Sequence, residues 1–266
     1  MISSNYKIGI LGGGQLGKML ALAAQNWDVQ TWILDTSKDF PAGNACTHFV
    51  EGDFRNYDDV IRFGKNMDVI TVEIETVNTD ALLQLQADGK KIHPRPEALN
   101  LIKDKGLQKQ FYVDNNLPTS SFEVLKEVLP LQAVTPLPFV QKARTGGYDG
   151  RGVAIIRSEA DLEKILPVPS IIEPLVNIQK ELGVVVARNE SGEVKAFSVV
   201  DMEFNAEVNL VDYLICPSTI SPAIEKQAKE IAMATIEAYD IFGLLAVELF
   251  LTTDNQLLIN EVAPRP

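Results

Sequence analysis

Glu248 and Glu261 sit in two apolar runs, Leu245-Ala-Val-Glu-Leu-Phe-Leu251 and Gln256-Leu-Leu-Ile-Asn-Glu261, on either side of Thr252-Thr-Asp-Asn255. Two such runs around a short polar segment predict an antiparallel hairpin. A centre between Asp254 and Asn255 sets Leu251 opposite Leu258, Leu249 opposite Asn260 and Glu248 opposite Glu261. Opposed carboxylates, about 4.5–5.5 Å apart at Cβ, destabilise a sheet unless something positive lies between them. Hard oxygen ligands suit Mg²⁺, which takes one or two protein carboxylates and completes its shell with substrate phosphates and water. A turn one residue longer or shorter breaks the pair.

A second group of reactive types lies in Phe139-Val-Gln-Lys-Ala-Arg-Thr-Gly-Gly-Tyr-Asp-Gly-Arg-Gly152. The stretch reads as a short strand ending on Lys142 and then a loop with four glycines and two arginines, Arg144 and Arg151. Glycines let backbone N–H groups close on an anion, and Lys142 adds a point charge beside them. Local positive charge of this kind has to be explained locally, because the chain carries a formal net charge of −12. That balance argues against nucleic acid or an anionic membrane as the main partner.

These residues need elements to hold them. Lys7–Leu11 reads as a buried strand, Gly12-Gly-Gly-Gln-Leu-Gly17 as a turn, Lys18–Ala24 as a helix and Val29–Asp35 as a second strand. The βαβ unit, with glycines at 12, 14 and 17 and Asp35 about 18 residues on, matches the dinucleotide fingerprint. The same turn also occurs in α/β domains that do not bind NAD, so both readings stand. Gln15 points its amide above the strand ends in either case. Val69–Glu75 reads as a further strand whose last acids share a face, either with Glu75 toward a ligand and Glu73 toward solvent or with both exposed at the edge.

Lys91-Ile-His-Pro-Arg-Pro96 reads as a proline-punctuated linker between two domains. Pro96 opens a helix, and Asp104 caps another over 105–115. Beyond the glycine loop come a capped helix from Ser158 to Leu166, and the strand Ile171-Ile-Glu-Pro-Leu-Val176 running into an extended connector. Such a connector offers backbone groups to the edge of a base while Leu175 and Val176 cover its face. Glu181 opens the next strand, and Pro222–Asp240 is a helix whose apolar stripe is core. His48 and His93 lack ligand spacing and read as structural. Cys46 and Cys216 read as packed, reduced thiols, and no apolar run approaches the roughly 18 residues of a membrane span, which together suit a cytoplasmic protein.

Taken together, GGGQLGKML, VEIETV, KARTGGYDGRG, EPLV and NEVAPRP, in order from Ile8 to Pro266, resemble the 5-(carboxyamino)imidazole ribonucleotide synthetases of the ATP-grasp superfamily. The resemblance implies an α/β chain with a Rossmann-like pre-ATP-grasp domain at 1–95. An ATP-grasp domain with mixed and antiparallel sheets would follow at 96–266, its small lid at about 117–176. It implies ATP, with Mg²⁺ or Mn²⁺, bicarbonate and 5-aminoimidazole ribonucleotide as ligands, and a homodimer. ATP phosphates would meet Lys105, Lys142 and the segment Gly147, Tyr148, Asp149, Gly150, Arg151, Gly152 and Val153. Adenine would meet Glu173, Pro174, Leu175 and Val176, and the ribose Glu181. The metal would meet Glu248, Glu261 and Asn260. Gln15 and Glu75 would bind the ribonucleotide, and Tyr148, Arg151 and Arg265 would serve catalysis. Two departures stand out. Phe204-Asn205 occupies the place where the family often has histidine, and the family's sequence continues beyond Ala-Pro-Arg-Pro, so the chain is expected to be truncated at its carboxyl end.

Overall fold

The structure is a computed structural model that describes residues 4–125, 136–147, 152–205 and 210–266. Its first part is a parallel sheet. Strands β1 (Lys7–Leu11), β2 (Gln30–Asp35), β3 (His48–Glu51), β4 (Val69–Val72) and β5 (Lys91–His93) lie in the order β3-β2-β1-β4-β5. Helices α1 (Gln15–Gln25), α2 (Tyr57–Gly64) and α3 (Thr79–Ala87) connect them. Short polar side chains start two of these helices. Asn56 accepts from the Asp59 N–H at 3.1 Å, and Asn78 from the Ala81 N–H at 2.9 Å, each meeting a donor that the helix leaves unpaired.

The strand order reverses at β1 and β4, so their carboxyl ends open a crevice of the kind open α/β sheets use for ligands. There the glycine turn is already partnered. Asp35, only 6% exposed, accepts the Gly13 N–H at 2.7 Å, and Glu73 accepts the Leu16 N–H at 3.3 Å. Glu73 is therefore not the solvated acid expected from its place in the sequence. The strand stops at Val72 instead of continuing to Glu75, and Glu73 turns back beneath α1. Burial raises its carboxyl above the usual range, opposed by the Leu16 N–H. The ribose role that a dinucleotide would assign to Asp35 is likewise taken by the turn. Gly17 has no alternative here, since a Cβ on it would lie 2.7 Å from the Gly12 carbonyl oxygen. Gly17→Ala is expected to cost about 1–3 kcal/mol, read as a fall of several degrees in Tm. An unchanged melt would show that the turn relaxes freely.

Lys91–His93 is an edge strand pairing with β4 rather than a bare linker. Helices α4 (Pro96–Lys103) and α5 (Lys105–Asp114) follow, with Pro96 at the first turn and the Asp104 carboxylate accepting from the Gly106 and Leu107 N–H groups at 2.8 and 3.2 Å. Helix α4 serves two cores. Its Leu99 packs beneath the parallel sheet, whereas Ala98 and Ile102 join the larger core of the second part.

That second part has two antiparallel sheets. The smaller, ordered β6-β9-β7-β8, contains β6 (Glu123–Leu125), β7 (Phe139–Ala143), β8 (Val153–Ile156) and β9 (Ser170–Pro174). The larger runs β13-β12-β10-β14-β15, with β11 (Val194–Ala196) also on β10. Its members are β10 (Ile178–Arg188), β12 (Val200–Asn205), β13 (Leu210–Ile215), β14 (Gly243–Thr252) and β15 (Leu257–Arg265). Helix α6 (Pro222–Ala238), capped by Ser221, buries Ala228, Ala232, Thr235 and Ile236 against it. The segment after Ser158 forms the expected capping box with Asp161, but it is a 3₁₀ helix, Glu159–Lys164, rather than an α-helix. Its neighbours Leu162 and Ile165 cover Phe139, Ala154 and Ile156, leaving the opposite face of the small sheet free. Cys46 is half-buried and Cys216 exposed, so the second thiol is not packed. Among the described residues no helix is long and apolar enough to cross a membrane.

Candidate active site

Between the two antiparallel sheets lies a cleft that opens to solvent. The small sheet contributes Val140, Lys142, Val153, Ile155 and Glu173, and the large sheet Glu181, Phe204, Glu248, Phe250, Asn260 and Glu261. Lys105 and Ser120 close one end, while Gly147, Pro174, Leu175 and Val176 form its edge. One cleft thus gathers Lys105, Lys142, Gly147, Val153, Glu173, Glu181, Glu248, Asn260 and Glu261 from distant parts of the sequence. Gly152 lies beside Gly147, since a Cβ on it would be 3.1 Å from the Gly147 Cα. Tyr148, Asp149, Gly150 and Arg151 lie outside the described residues.

Glu248 and Glu261 are opposed as expected, but the route to that pairing differs. Near the turn Leu251 faces Leu257, Phe250 faces Leu258 and Leu249 faces Ile259, one residue off the symmetric register. A bulge at Asn260 then restores the offset, bringing Glu248 opposite Glu261. An extra residue in one strand leaves two neighbours facing one partner. Both Asn260 and Glu261 therefore line the cleft, while Ile259 and Val262 stay in the core.

Burial, and then the charge of Glu261, pushes Glu248 up to about 7. Burial also opposes ionisation of Glu261, but Lys105, whose ammonium pairs with its carboxylate, more than offsets it and holds the group below the usual range. The pair therefore keeps its proton on Glu248. That proton stabilises the folded chain fully below the unfolded value of 4.5, and the contribution disappears as pH rises through about 7. Glu181, raised to about 7 by burial, with Lys142 opposing and Glu261 adding, acts in the same direction. Without metal, Tm is expected to fall between about pH 5 and about pH 8, with a shallower slope in Glu248→Gln. Equal slopes would remove Glu248 as the source.

The donor set fits a divalent cation. Two carboxylates face each other, and loss of the Glu248 proton would complete a hard oxygen pair for an ion that takes its remaining ligands from phosphate and water. Among the described residues no group of three or more His, Cys, Asp or Glu is assembled to hold a metal alone. Asn260 already accepts from Lys142 Nζ at 2.8 Å. Lys142 also lies 2.7 Å from Glu173 Oε2, so Glu173 spends its carboxylate on lysine while Leu175 and Val176 supply the apolar edge. The Leu175 N–H donates to the Pro138 carbonyl at 3.4 Å.

Phe204, in the place where histidine was expected, presents a ring to the cleft together with Phe250. Arg265 shares the β15 face of Glu261 and lowers the pKa of Glu248 through its charge, acting after burial and Glu261. Gln15 is exposed on the first turn of α1, and Glu75 is half-buried in the turn after β4. Neither lines the cleft; both belong to the crevice at the carboxyl end of the parallel sheet. Sequence reasoning missed Lys109, Ser120, Val140, Ile155 and Phe250. For Lys109 the one available signal was its spacing from Lys105, a single helical turn.

The ATP-grasp domain model matches residues 110–266, and the ribonucleotide synthetase preATP-grasp domain model matches residues 5–103. The solved N5-carboxyaminoimidazole ribonucleotide synthetase from Thermotoga maritima is 38% identical with a TM-score of 0.89, the match covering 98% of this chain and 69% of that one. The chain belongs to the N5-carboxyaminoimidazole ribonucleotide synthetase family. Another synthetase of this family, N5-carboxyaminoimidazole synthase from Aspergillus clavatus, solved in complex with ADP and 5-aminoimidazole ribonucleotide, is 30% identical with a TM-score of 0.88. That match covers 98% of this chain and 70% of that one. A phosphoribosylaminoimidazole carboxylase from Candida albicans is 38% identical over 97% of this chain, which spans 47% of the fungal protein. The ATP-grasp match, residues 110–266, spans both antiparallel sheets that border the cleft.

Proposed function

We propose that this chain carries the ATP- and bicarbonate-dependent carboxylation of the exocyclic amine of 5-aminoimidazole ribonucleotide, a step of de novo purine biosynthesis. The observation that carries the reading is the single cleft where Lys142, Glu181, Glu248 and Glu261 from both sheets and Lys105 from the start of α5 converge. In it Lys142, Lys105 and the segment from Gly147 to Val153 would meet the ATP phosphates, Leu175 and Val176 the adenine, and Glu181 the ribose hydroxyls. Magnesium, or manganese in its place, held by Glu248 and Glu261 with Asn260 beside them, would neutralise charge on the phosphoryl oxygens.

The residues then act by position and charge. A bicarbonate oxygen attacks the γ-phosphorus, the bond to ADP breaks with its electron pair, and carboxyphosphate forms. The substrate amine attacks the carboxyl carbon, or the CO₂ released from it. A C–N bond forms, phosphate departs, and the amine gives up a proton. Gln15 and Glu75 would hold the ribonucleotide at the parallel-sheet crevice, and Tyr148, Arg151 and Arg265 would face the reacting groups. The same reading carries a cytoplasmic homodimer, which sedimentation velocity checks.

The test is phosphate release from ATP in the presence of Mg²⁺, bicarbonate and 5-aminoimidazole ribonucleotide, each omitted in turn. Release that depends on all of them supports the reading. Release stimulated by a different amine or carboxylate acceptor, and not by this ribonucleotide, would move the chain to another ATP-grasp ligase reaction.

A further inference from the structure

Lys109 is buried, with a side chain only 2% exposed, and it does not line the cleft. Its ammonium has three partners. It pairs with Glu173 Oε1 and donates to Thr119 Oγ1 at 2.6 Å and to Ser120 Oγ at 2.9 Å. Ser120 in turn donates to Glu173 Oε1 at 2.5 Å, and Thr119 donates to the Ile259 carbonyl at 2.9 Å, next to the Asn260 bulge. The other oxygen of Glu173 holds Lys142 at 2.7 Å. A buried ladder therefore runs from Lys109 through Glu173 to Lys142, with a branch into the large sheet.

Helix α5 drives this ladder from outside the cleft. Lys105 and Lys109 lie one turn apart on one face, the first on Glu261 of the large sheet and the second on Glu173 of the small one. The start of the helix is also tied to the small sheet, with Arg144 Nη2 and Nε on Asp104 at 2.6 and 3.0 Å. Lys109, Glu173 and Lys142 together carry two positive charges and one negative, which leaves one positive charge at the cleft end. Without Lys109 the buried carboxylate keeps, among the described residues, only Lys142 as a counter-ion, and the cleft end becomes neutral. Burial would raise Glu173, yet Lys142 and Lys109 together hold it at about 2, while burial brings Lys109 down only to about 8, so Glu173 and Lys109 are both charged at neutral pH.

We propose that Lys109 is a positioning residue for nucleotide phosphates: by neutralising Glu173 it frees the charge of Lys142 and fixes where that charge stands. The proposal rests on the nucleotide reading of the cleft. It is tested by titrating the unaltered chain and Lys109→Met with Mg-ADP and with adenosine, which fills the base and ribose sites but brings no phosphate. Lys109→Met is expected to weaken ADP about tenfold and to change adenosine by less than about twofold. Equal losses for both ligands would mean that Lys109 only holds the fold together, and would overturn the proposal. Should Lys109→Met fail to fold, Thr119→Val removes one partner of the ammonium at nearly constant volume. It is expected to weaken ADP about threefold with adenosine unaffected, and no selective loss there overturns the proposal as well. If the unaltered chain binds adenosine and ADP equally well, or neither, the phosphate reading of the cleft itself fails and the proposal falls with it.

Discussion

Glu261→Gln is expected to abolish magnesium-dependent nucleotide binding while leaving the fold intact. Glu261 is paired with Lys105 and faces Glu248 across the hairpin. Removing its charge would leave Glu248 as the one acid of the opposed pair. The affinity for Mg-ADP should fall on the order of 100-fold, since truncating one member of a buried charge constellation costs about 2–5 kcal/mol. The fold should tolerate the change, because glutamine is nearly isosteric with glutamate, Glu248 already carries the proton of the pair, and Lys105, still 20% exposed, reaches water. Thermal melts with and without Mg-ADP separate the two effects. Equal Mg-ADP affinity in the variant and the parent would sink the assignment of the pair to a cation.

Lys142→Ala should weaken ADP far more than it weakens 5-aminoimidazole ribonucleotide. The ammonium stands between Glu173 and Asn260, one group from each sheet, so it lies where charge entering the cleft must pass. Loss of its charge is expected to raise the ADP Kd on the order of 100-fold. The ribonucleotide Kd should move by less than about threefold, because Gln15 and Glu75 belong to the parallel-sheet crevice. A uniform loss for both ligands would mean that Lys142 serves the fold or the wrong ligand. The phosphate site would then have to be sought elsewhere along the loop.

Both variants exploit features that were legible early for a simple reason. Strand alternation and hairpin closure are short-range, so the opposition of Glu248 and Glu261 could be read from spacing alone. Yet the reading reached the pair through a register that the turn does not adopt. The Asn260 bulge corrects the offset, and a bulge has no local signature in Leu-Leu-Ile-Asn-Glu261. Helix starts were readable on the same local basis: Asp104 and Pro96 act within a few residues of themselves. The 3₁₀ turn after Ser158 shows the limit, since the capping box marks where a helix begins and not which helix forms.

Acids and lysines were harder to assign. An exposed Glu and a helix-capping Glu look alike in sequence, and Glu73 became a cap only because β4 lies beside β1 and delivers it beneath α1. Asp35 matched a dinucleotide acid in spacing, but the Gly13 N–H occupies it.

By itself the sequence determined the α/β order of elements, the glycine turn, the caps, the opposed pair in the last hairpin, and the motifs that place the chain in its family. All of these are written in residues near one another, where backbone periodicity and side-chain chemistry act directly. Tertiary structure alone decided which charge answers which. Lys105 reaches Glu261 across 156 positions, Lys142 reaches Asn260 across 118, and Lys109 is buried against Glu173 although helical lysines ordinarily face water. The physical reason is desolvation: a charge taken out of water must find its counter-charge among whatever the packed sheets and helix bring alongside it.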